Sequence, residues 1–390
     1  MTEPELFQQG IAALQAGRGA EARAVFQQAV DANIATARCW LGLALAALVE
    51  SDVPAAEVAV DAVLKVEPHN LRALIIKGDI LLGRDDFQAA SAHYNLVLRL
   101  AATLPEVPQQ LAADLGRVQT RLKQLGEIFQ QHLTDHLVSV GYRREQASPR
   151  FNRSLDLLLG REEREDPGQQ FPQAPHVFYM SDMGYYNYFP KEQLPWMRDL
   201  EGHTDLIESE LMALLANRAD RFSPYVHSGL DQPQSAGTTL MDSDDWTSAF
   251  LWQDSQPQED IMACCPETTR LMEGLPLTRI GGLAPSVLFS KLDAGARIEP
   301  HTGMLNCRLI CHLPLTVPTG CGLRVGEETR ETHRGEAWAF DDSVNHEAWN
   351  RGDSPRTILL FDVWRPELDE QERHLITALL EAVSGFGKVA

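Results

Sequence analysis

The N-terminal part of the chain repeats a pattern of small and apolar side chains every 34 positions. A small residue and an alanine recur in register, and a bulkier apolar residue follows each alanine. Small side chains let two helices approach closely, and the bulky one fills the gap between them. We therefore predict three helix–turn–helix repeats near residues 3–36, 37–70 and 71–104, then a capping helix from about Leu111 to Val138. The recurring positions are Gly10, Ala44 and Gly78; Ala22, Ala56 and Ala90; and Phe26, Val60 and Tyr94.

From Val177 the apolar residues come in short runs between Gly, Pro, Asn and Asp turns, for example "HVFYM", "SVLFSKL", "CRLICHLPL" and "TILLFDVW". Short strands at this spacing predict an all-β barrel or sandwich. Two amphipathic segments, Leu206–Ala216 and Glu367–Val383, predict helices, of which the first could back one sheet. The polar stretch between the two halves predicts a connector with one short helix near Leu155.

These patterns predict an α+β multidomain fold class. An all-α tetratricopeptide repeat solenoid would span residues 1–140, and a linker would span 141–175. A double-stranded β-helix domain (a jelly-roll, cupin-like fold) with a C-terminal helix would span 176–390. A generic helical bundle is the alternative for the first part, and the repeated register argues against it.

Charge and composition then narrow the classes of function. The formal net charge of −21 argues against binding nucleic acid through bulk electrostatics. No apolar run reaches the length of a membrane span, and the N-terminus is polar and acidic, unlike a signal peptide. The six cysteines include no Cys-x-x-Cys pair, so we expect a reducing compartment and a cytoplasmic protein.

The candidate chemistry lies in the segments "IEPHTGMLNCR" and "FDDSVNHEAWN", which contain His301 and His346. Arg356 begins the strand that follows. Two imidazoles with open coordination positions suit Fe(II), and an arginine on a neighbouring strand can bind the carboxylate of a keto acid bidentately. The carboxylate that usually completes such a site, two residues after the first histidine, is replaced by Gly303.

Nearby residues leave alternatives open. Asp341 and Asp342 precede a turn before His346, and we expect them to bond backbone groups or orient the histidine rather than bind metal. On a strand continuing from His301, His312 would share a face with Arg308 by alternation. A buried core histidine is an equally good interpretation of His312.

The motifs "HTGMLNCRL", "FDDSVNHEAWN" and "DVWRPEL", behind a repeat domain, resemble the aspartyl/asparaginyl β-hydroxylase family of Fe(II)/2-oxoglutarate oxygenases. That family has His-x-Gly where other 2-oxoglutarate oxygenases have His-x-Asp, so the resemblance implies that Gly303 belongs to a working site. It further implies three sets of site residues. These are iron ligands, His301 and His346; 2-oxoglutarate contacts, Arg356, Ser290 and His312; and substrate contacts, Arg308 and Trp252.

Three positions depart from the family pattern. Its second arginine after the first histidine is Ile310 here, and a lysine two residues before Ser290 is Leu288. Both positions lie near substrate or co-substrate, so they argue against the epidermal-growth-factor-like substrate of the animal enzymes. The cysteine pair of the animal domain is not reproduced, because Cys264–Cys265 stands where one member would be. This agrees with a reducing compartment.

The resemblance implies a dioxygenase that uses Fe(II), 2-oxoglutarate and dioxygen to hydroxylate the β-carbon of Asp or Asn. The substrate would be a peptide or protein held between the repeats and the barrel. One alternative is a hydroxylase of a non-protein substrate, such as a lipid acyl chain or a small molecule; the lack of a basic patch argues against a lipid. The other is a non-catalytic repeat-based binding protein with a vestigial barrel, and the retained histidines and Arg356 argue against it.

Overall fold

The computed structural model describes residues 1–106, 108–165, 167–225, 240 and 243–387. They fall into two compact units. Met1–His132 make up most of the first unit, and the second comprises the described residues of Leu133–His227 and Gly237–Ser384. None of the described helices is long and apolar enough to cross a membrane.

The first unit consists of helix pairs, which confirms the predicted tetratricopeptide repeats. Each predicted repeat contains two antiparallel helices, and a longer helix follows the third pair. The helices are α1 (Glu3–Gln15), α2 (Gly19–Asp31), α3 (Ala37–Val49), α4 (Val53–Val66), α5 (Leu71–Leu82), α6 (Phe87–Ala102) and α7 (Gln109–Ser139), of which the residues up to His132 belong to this unit.

Close packing explains the small residues of the repeat. A Cβ atom added to Gly10 or to Gly42 would lie 2.4 Å from the ring of Phe26, and one added to Gly78 would lie 2.6 Å from the ring of Tyr94. No Cβ fits at these distances, so glycine is what lets each ring lie against the neighbouring helix. Side-chain capping also defines where a helix starts. At the start of the fourth helix, the Asp52 side chain accepts a hydrogen bond from the backbone N–H of Ala55.

The second unit is a two-sheet β-domain with helices. One sheet has the order β1-β2-β4-β11-β6-β9, with β3 paired to β2, and the other has the order β5-β10-β7-β8. The strands are β1 (Ser223–Pro224), β2 (Trp246–Gln253), β3 (Gln256–Pro257), β4 (Val287–Leu292), β5 (Arg297–His301), β6 (Arg308–Thr316), β7 (Cys321–Val325), β8 (Glu328–Glu331), β9 (Trp338–Phe340), β10 (His346–Asn350) and β11 (Arg356–Trp364). The helices are α8 (Pro149–Leu158), α9 (Trp196–Gly202), α10 (Thr204–Arg218), α11 (Glu259–Cys264), α12 (Pro266–Glu273) and α13 (Glu370–Gly385).

Alternation along the strands gives the larger sheet two different faces. On β6, Leu309, Cys311 and Leu313 join an apolar cluster that also contains residues of α9 to α12. Ile310 instead joins a cluster with residues of the second sheet, such as Leu323. Side chains of Arg308, Ile310 and His312 therefore share the face between the two sheets. This antiparallel two-sheet arrangement is the predicted jelly roll.

Several boundaries differ from the sequence predictions. His301 is the last residue of β5, and His312 lies on the separate strand β6 rather than on a strand that continues from His301. The run "HVFYM" is not a strand; Phe178 makes only an isolated bridge with Leu305. The turn between β5 and β6 separates two strands where the alternation of side chains alone suggests one continuous strand. The predicted helices near Leu155, over 206–216 and over 367–383 correspond to α8, α10 and α13.

The segment 141–175, expected to be a linker, lies within the second unit. Arg150 on α8 donates from Nε to Glu372 Oε1 over 2.6 Å, and Ser148 donates to the same carboxylate over 2.7 Å. Both contacts tie this segment to α13. Its polar composition therefore reflects ion pairing within the β-domain as well as exposure to solvent.

Candidate active site

The two histidines singled out in the sequence face each other across neighbouring strands. His301 ends β5, His346 begins β10, and the two are paired in the antiparallel register. Their ring centroids are 4.1 Å apart. The pairing becomes irregular between His346 and Ala348, so a bulge adjoins the site.

Hydrogen bonds leave one nitrogen of each ring available. Nδ1 of His301 donates to the carbonyl of Glu299 over 2.8 Å, and Nδ1 of His346 donates to the carbonyl of Val344 over 3.0 Å. The lone pair therefore resides on Nε2 in each ring, as a metal ligand requires. Burial, with a further contribution from His301, lowers the pKa of His346 to about 3, so this imidazole is neutral at neutral pH.

The carboxylate of Asp342 lies where a side chain at position 303, beside His301, would have to lie. A Cβ atom on Gly303 would lie 1.9 Å from Oδ2 of Asp342, and the Gly303 N–H donates to the Asp342 carbonyl over 2.6 Å. The carboxylate of Asp342 thus occupies the place that a side chain at position 303 would take. Among the described residues, no group of three His, Cys, Asp or Glu side chains is arranged to hold a metal ion.

Asp341 fixes the turn that precedes His346. The side chain is fully buried, receives hydrogen bonds from Gln173 over 2.6 Å and from Ser343 over 2.6 Å, and pairs with Arg365 at 3.1 Å. Burial raises the pKa of Asp341 to about 6, against the opposing effect of Arg365. The turn held in this way includes Val344, whose carbonyl orients His346.

Arg356 is buried without a carboxylate partner among the described residues. Only 2% of the residue is exposed, and its Nε atom has no hydrogen-bond partner among them. Burial lowers the pKa of Arg356 to about 10, so it remains charged at neutral pH. A buried, unpaired guanidinium is costly unless an anion binds to it. Arg356 therefore has the properties of an anion-binding residue.

Ser290 and His312 lie on the strands either side of β11. Ser290 on β4 is opposite Ile358, and His312 on β6 is opposite Leu360, so both share the face of Arg356. The Ser290 hydroxyl accepts a hydrogen bond from the Trp246 indole N–H over 3.1 Å. Burial, then the charges of Arg356 and His346, hold the pKa of His312 well below its usual range. A neutral His312 can donate one N–H to a carboxylate.

Six of the seven predicted site residues line one cavity of about 370 Å³. They include Arg308, whose guanidinium lies 3.4 Å from Asp342 and 3.2 Å from Asp362. Ile310, in place of the expected second arginine, also lines the cavity. The six are Ser290, His301, Arg308, His312, His346 and Arg356.

Trp252 is the exception, and its predicted place beside the substrate is wrong. Trp252 packs in the apolar cluster on the helix-covered face of the sheet and is not among the described residues lining the cavity. The register shifts between Phe250 and Trp252, and this irregularity turns Trp252 to the opposite face. The tryptophan that does line the cavity is Trp246, at the start of the same strand. Simple alternation does not separate the two tryptophans, so no signal in the sequence distinguishes them.

Comparisons with known proteins agree with this geometry. Residues 201–366 match the family model described as aspartyl/asparaginyl beta-hydroxylase, and residues 7–61 and 41–105 match a tetratricopeptide repeat model. The aspartyl/asparaginyl beta-hydroxylase of Homo sapiens is 34% identical over 184 residues, which are 47% of this chain and 23% of that protein. Aspartate beta-hydroxylase domain-containing protein 2 of Rattus norvegicus is 30% identical over 209 residues, 52% of this chain and 58% of that protein.

The chain therefore covers about a quarter of the length of the human relative. The family-model match, over residues 201–366, falls on the β-domain that contains the cavity. The motif residues, the two-sheet fold and the family match agree on the same part of the chain. Residues 201–366 of the second unit are therefore similar to the aspartyl/asparaginyl beta-hydroxylase family, and tetratricopeptide repeat sequences precede them in the chain.

Proposed function

We propose that this chain is an Fe(II)- and 2-oxoglutarate-dependent dioxygenase that hydroxylates the β-carbon of Asp or Asn side chains in a peptide or protein. The observation that carries the proposal is the juxtaposition of two histidines, each with Nε2 available, and a buried guanidinium without a carboxylate partner in the same cavity. Two histidines that can bind a cation, next to a guanidinium that can bind an anion, suit a metal ion that binds together with a keto acid. The names of the relatives support the choice of reaction.

His301 and His346 would hold Fe(II), and the metal would supply the activation of dioxygen. The pair leaves several coordination positions for the co-substrate and dioxygen, as this chemistry requires. The carboxylate of Asp342 occupies the place that a side chain at position 303 would take, so we expect no third protein ligand from position 303.

Arg356 would bind the distal carboxylate of 2-oxoglutarate, with Ser290 beside it on β4. The planar guanidinium can form two parallel hydrogen bonds to a carboxylate. His312, which lines the same cavity as Arg356 and His346, would donate an N–H to a carboxylate of the co-substrate. In the overall reaction one oxygen atom enters the substrate C–H bond and the other enters succinate, while 2-oxoglutarate loses carbon dioxide.

The tetratricopeptide repeats would bind the protein substrate or a protein partner. Such solenoids present extended surfaces that suit peptide segments. The repeats precede a domain whose relatives are named for aspartyl and asparaginyl hydroxylation, and this order supports a protein substrate.

The test is the conversion of 2-oxoglutarate to succinate by the purified full chain with Fe(II) and dioxygen. We expect succinate from the wild type and none above background from His346→Ala. His374→Ala is the matched control, since His374 is exposed on α13 and does not line the cavity; it should retain wild-type turnover. The proposal fails if the wild type forms no succinate or if His346→Ala forms as much.

A further inference from the structure

One corner of the cavity contains a charge arrangement that bears on the choice of substrate. The guanidinium of Arg308 contacts Asp342 through Nη2 at 3.4 Å and Asp362 through Nη1 at 3.2 Å. All three residues are buried. One cation therefore faces two carboxylates, and the charge of Arg308 is already balanced before any ligand binds.

Two hydrogen-bonding atoms in this corner have no partner among the described residues. They are Nε of Arg308, which can only donate, and Oδ1 of Asp342, which as a carboxylate oxygen can only accept. Both residues line the cavity. A buried donor and a buried acceptor that lack partners favour a ligand that supplies both complementary groups.

The neighbouring wall offers no additional positive charge. Ile310, two residues along β6 from Arg308 and on the same face, is buried and apolar. Among the described residues that line the cavity, Arg356 is the one other arginine, and no lysine is present. Since Arg356 is needed for the co-substrate, a substrate carboxylate would meet no cation with spare charge.

We propose that this corner selects an uncharged carboxamide, so that the hydroxylated side chain is asparagine in preference to aspartate; this inference rests on the function proposed above. The carboxamide oxygen accepts from Arg308 Nε, and its NH₂ group donates to Asp342 Oδ1. A carboxylate provides two acceptors and no donor. It therefore leaves Asp342 Oδ1 unsatisfied and adds a negative charge beside two buried carboxylates.

The test uses three pools of short peptides with randomised flanks and a central Asn, Asp or Ala. The full chain is immobilised with Mn(II) and 2-oxoglutarate in the absence of oxygen, and retained peptides are quantified by mass spectrometry. We expect the Asn pool to be retained about ten-fold or more over the Asp and Ala pools. Equal or stronger retention of the Asp pool overturns the inference, as does Asn retention no better than Ala.

Substitution at Ile310 checks the cause of the preference. Ile310→Arg adds a guanidinium to this wall, so retention should shift towards the Asp pool. Met212→Arg adds the same charge on the exposed surface of α10 and should leave the Asn preference unchanged. If Ile310→Arg does not fold, the wild-type comparison of the three pools still decides the question.

A final arm separates this inference from the proposed function. The same pools are incubated with the Fe(II) enzyme, 2-oxoglutarate and air, and oxidised peptides are counted. Selective retention of the Asn pool without any oxidation refutes the hydroxylase and leaves the carboxamide site standing. Oxidation of Asp peptides at least as fast as Asn peptides refutes the carboxamide preference and leaves the hydroxylase standing.

Discussion

Arg356 is the side chain whose surroundings most clearly require a ligand. Moving a guanidinium from water into a protein interior costs on the order of several kcal/mol, and a buried carboxylate that pairs with the guanidinium usually offsets this cost. Among the described residues no carboxylate pairs with Arg356, and its Nε is unsatisfied. The sequence predicted this residue from its order after the two histidines, but burial without an acidic partner became visible only in the structure.

Arg356→Ala should weaken 2-oxoglutarate binding by about 2–5 kcal/mol, because the anion loses its charged partner. Arg356→Lys should recover only part of this loss, since an ammonium does not reproduce the planar pair of hydrogen bonds. Titration of the Mn(II)-loaded protein with 2-oxoglutarate measures both variants. An unchanged dissociation constant in Arg356→Ala would show that the co-substrate binds elsewhere.

His346 predicts a pH dependence of stability in the metal-free protein. Burial lowers its pKa from 6.5 to about 3, so between these values the unfolded chain binds a proton that the folded chain does not. The contribution of His346 to the free energy of unfolding is fully present above about pH 6.5. As the pH falls below this value, the free energy of unfolding decreases by up to about 1.4 kcal/mol per pH unit.

His346→Gln should therefore show a shallower fall in unfolding free energy over this pH range than the wild type. Chemical denaturation with chelator present, followed by tryptophan fluorescence, measures the difference. Six of the seven tryptophans lie in the second unit, so this signal reports on the relevant fold. Parallel pH profiles would mean that His346 is not held neutral by burial.

Strands and turns show where sequence reasoning succeeded and where it failed. Alternation placed Arg308 and His312 on one face of β6, because a regular strand has a fixed period of two. It failed at Trp252, because a register shift in β2 turns that side chain into the helix-covered core. Such irregularities depend on pairing with a neighbouring strand, which local sequence does not encode.

The turn after β5 gives a sharp prediction. Gly303→Ala should destabilise the second unit and weaken metal binding, because its Cβ would lie 1.9 Å from Asp342 Oδ2. Gly303→Asp should do the same rather than create a stronger three-ligand site. Gly116→Ala is the matched control: beyond the backbone of its own helix, no described atom lies within 4 Å of its added Cβ, and alanine should stabilise helix α7 by up to about 1 kcal/mol. Denaturation and metal titration of the three variants test this, and tighter metal binding by Gly303→Asp would contradict it.

Across the complete chain, the repeats were easier to predict than the β-domain. The 34-residue period is a local signal, and Gly10 and Gly78 lie against Phe26 and Tyr94 as the register implies. The pairing of β5 with β10, which brings His301 to His346, joins segments far apart in sequence. The candidate iron chemistry of the two histidines and the family resemblance linked those segments beforehand, because strand pairing of this range leaves no periodic trace in the sequence.

Removing residues 1–132 should separate the roles of the two units. We expect the remaining chain to consume 2-oxoglutarate with Fe(II), because the described residues that line the cavity all lie in the second unit. The KM for a protein substrate should rise, or hydroxylation should stop, because the repeats would no longer bind it. Steady-state kinetics on the full and shortened chains measure both quantities. Equal kcat/KM for the same protein substrate would show that the repeats take no part in binding it.

The most direct measurement is turnover under isotopically heavy dioxygen, with mass spectrometry of both products. The Fe(II) enzyme should place one heavy oxygen atom on the β-carbon of an Asp or Asn residue of the substrate and one in succinate. His346→Ala should yield neither labelled product. Label in succinate with no labelled Asp or Asn in any offered peptide, or a product oxygen that comes from water, would contradict the proposal that this chain hydroxylates Asp or Asn side chains.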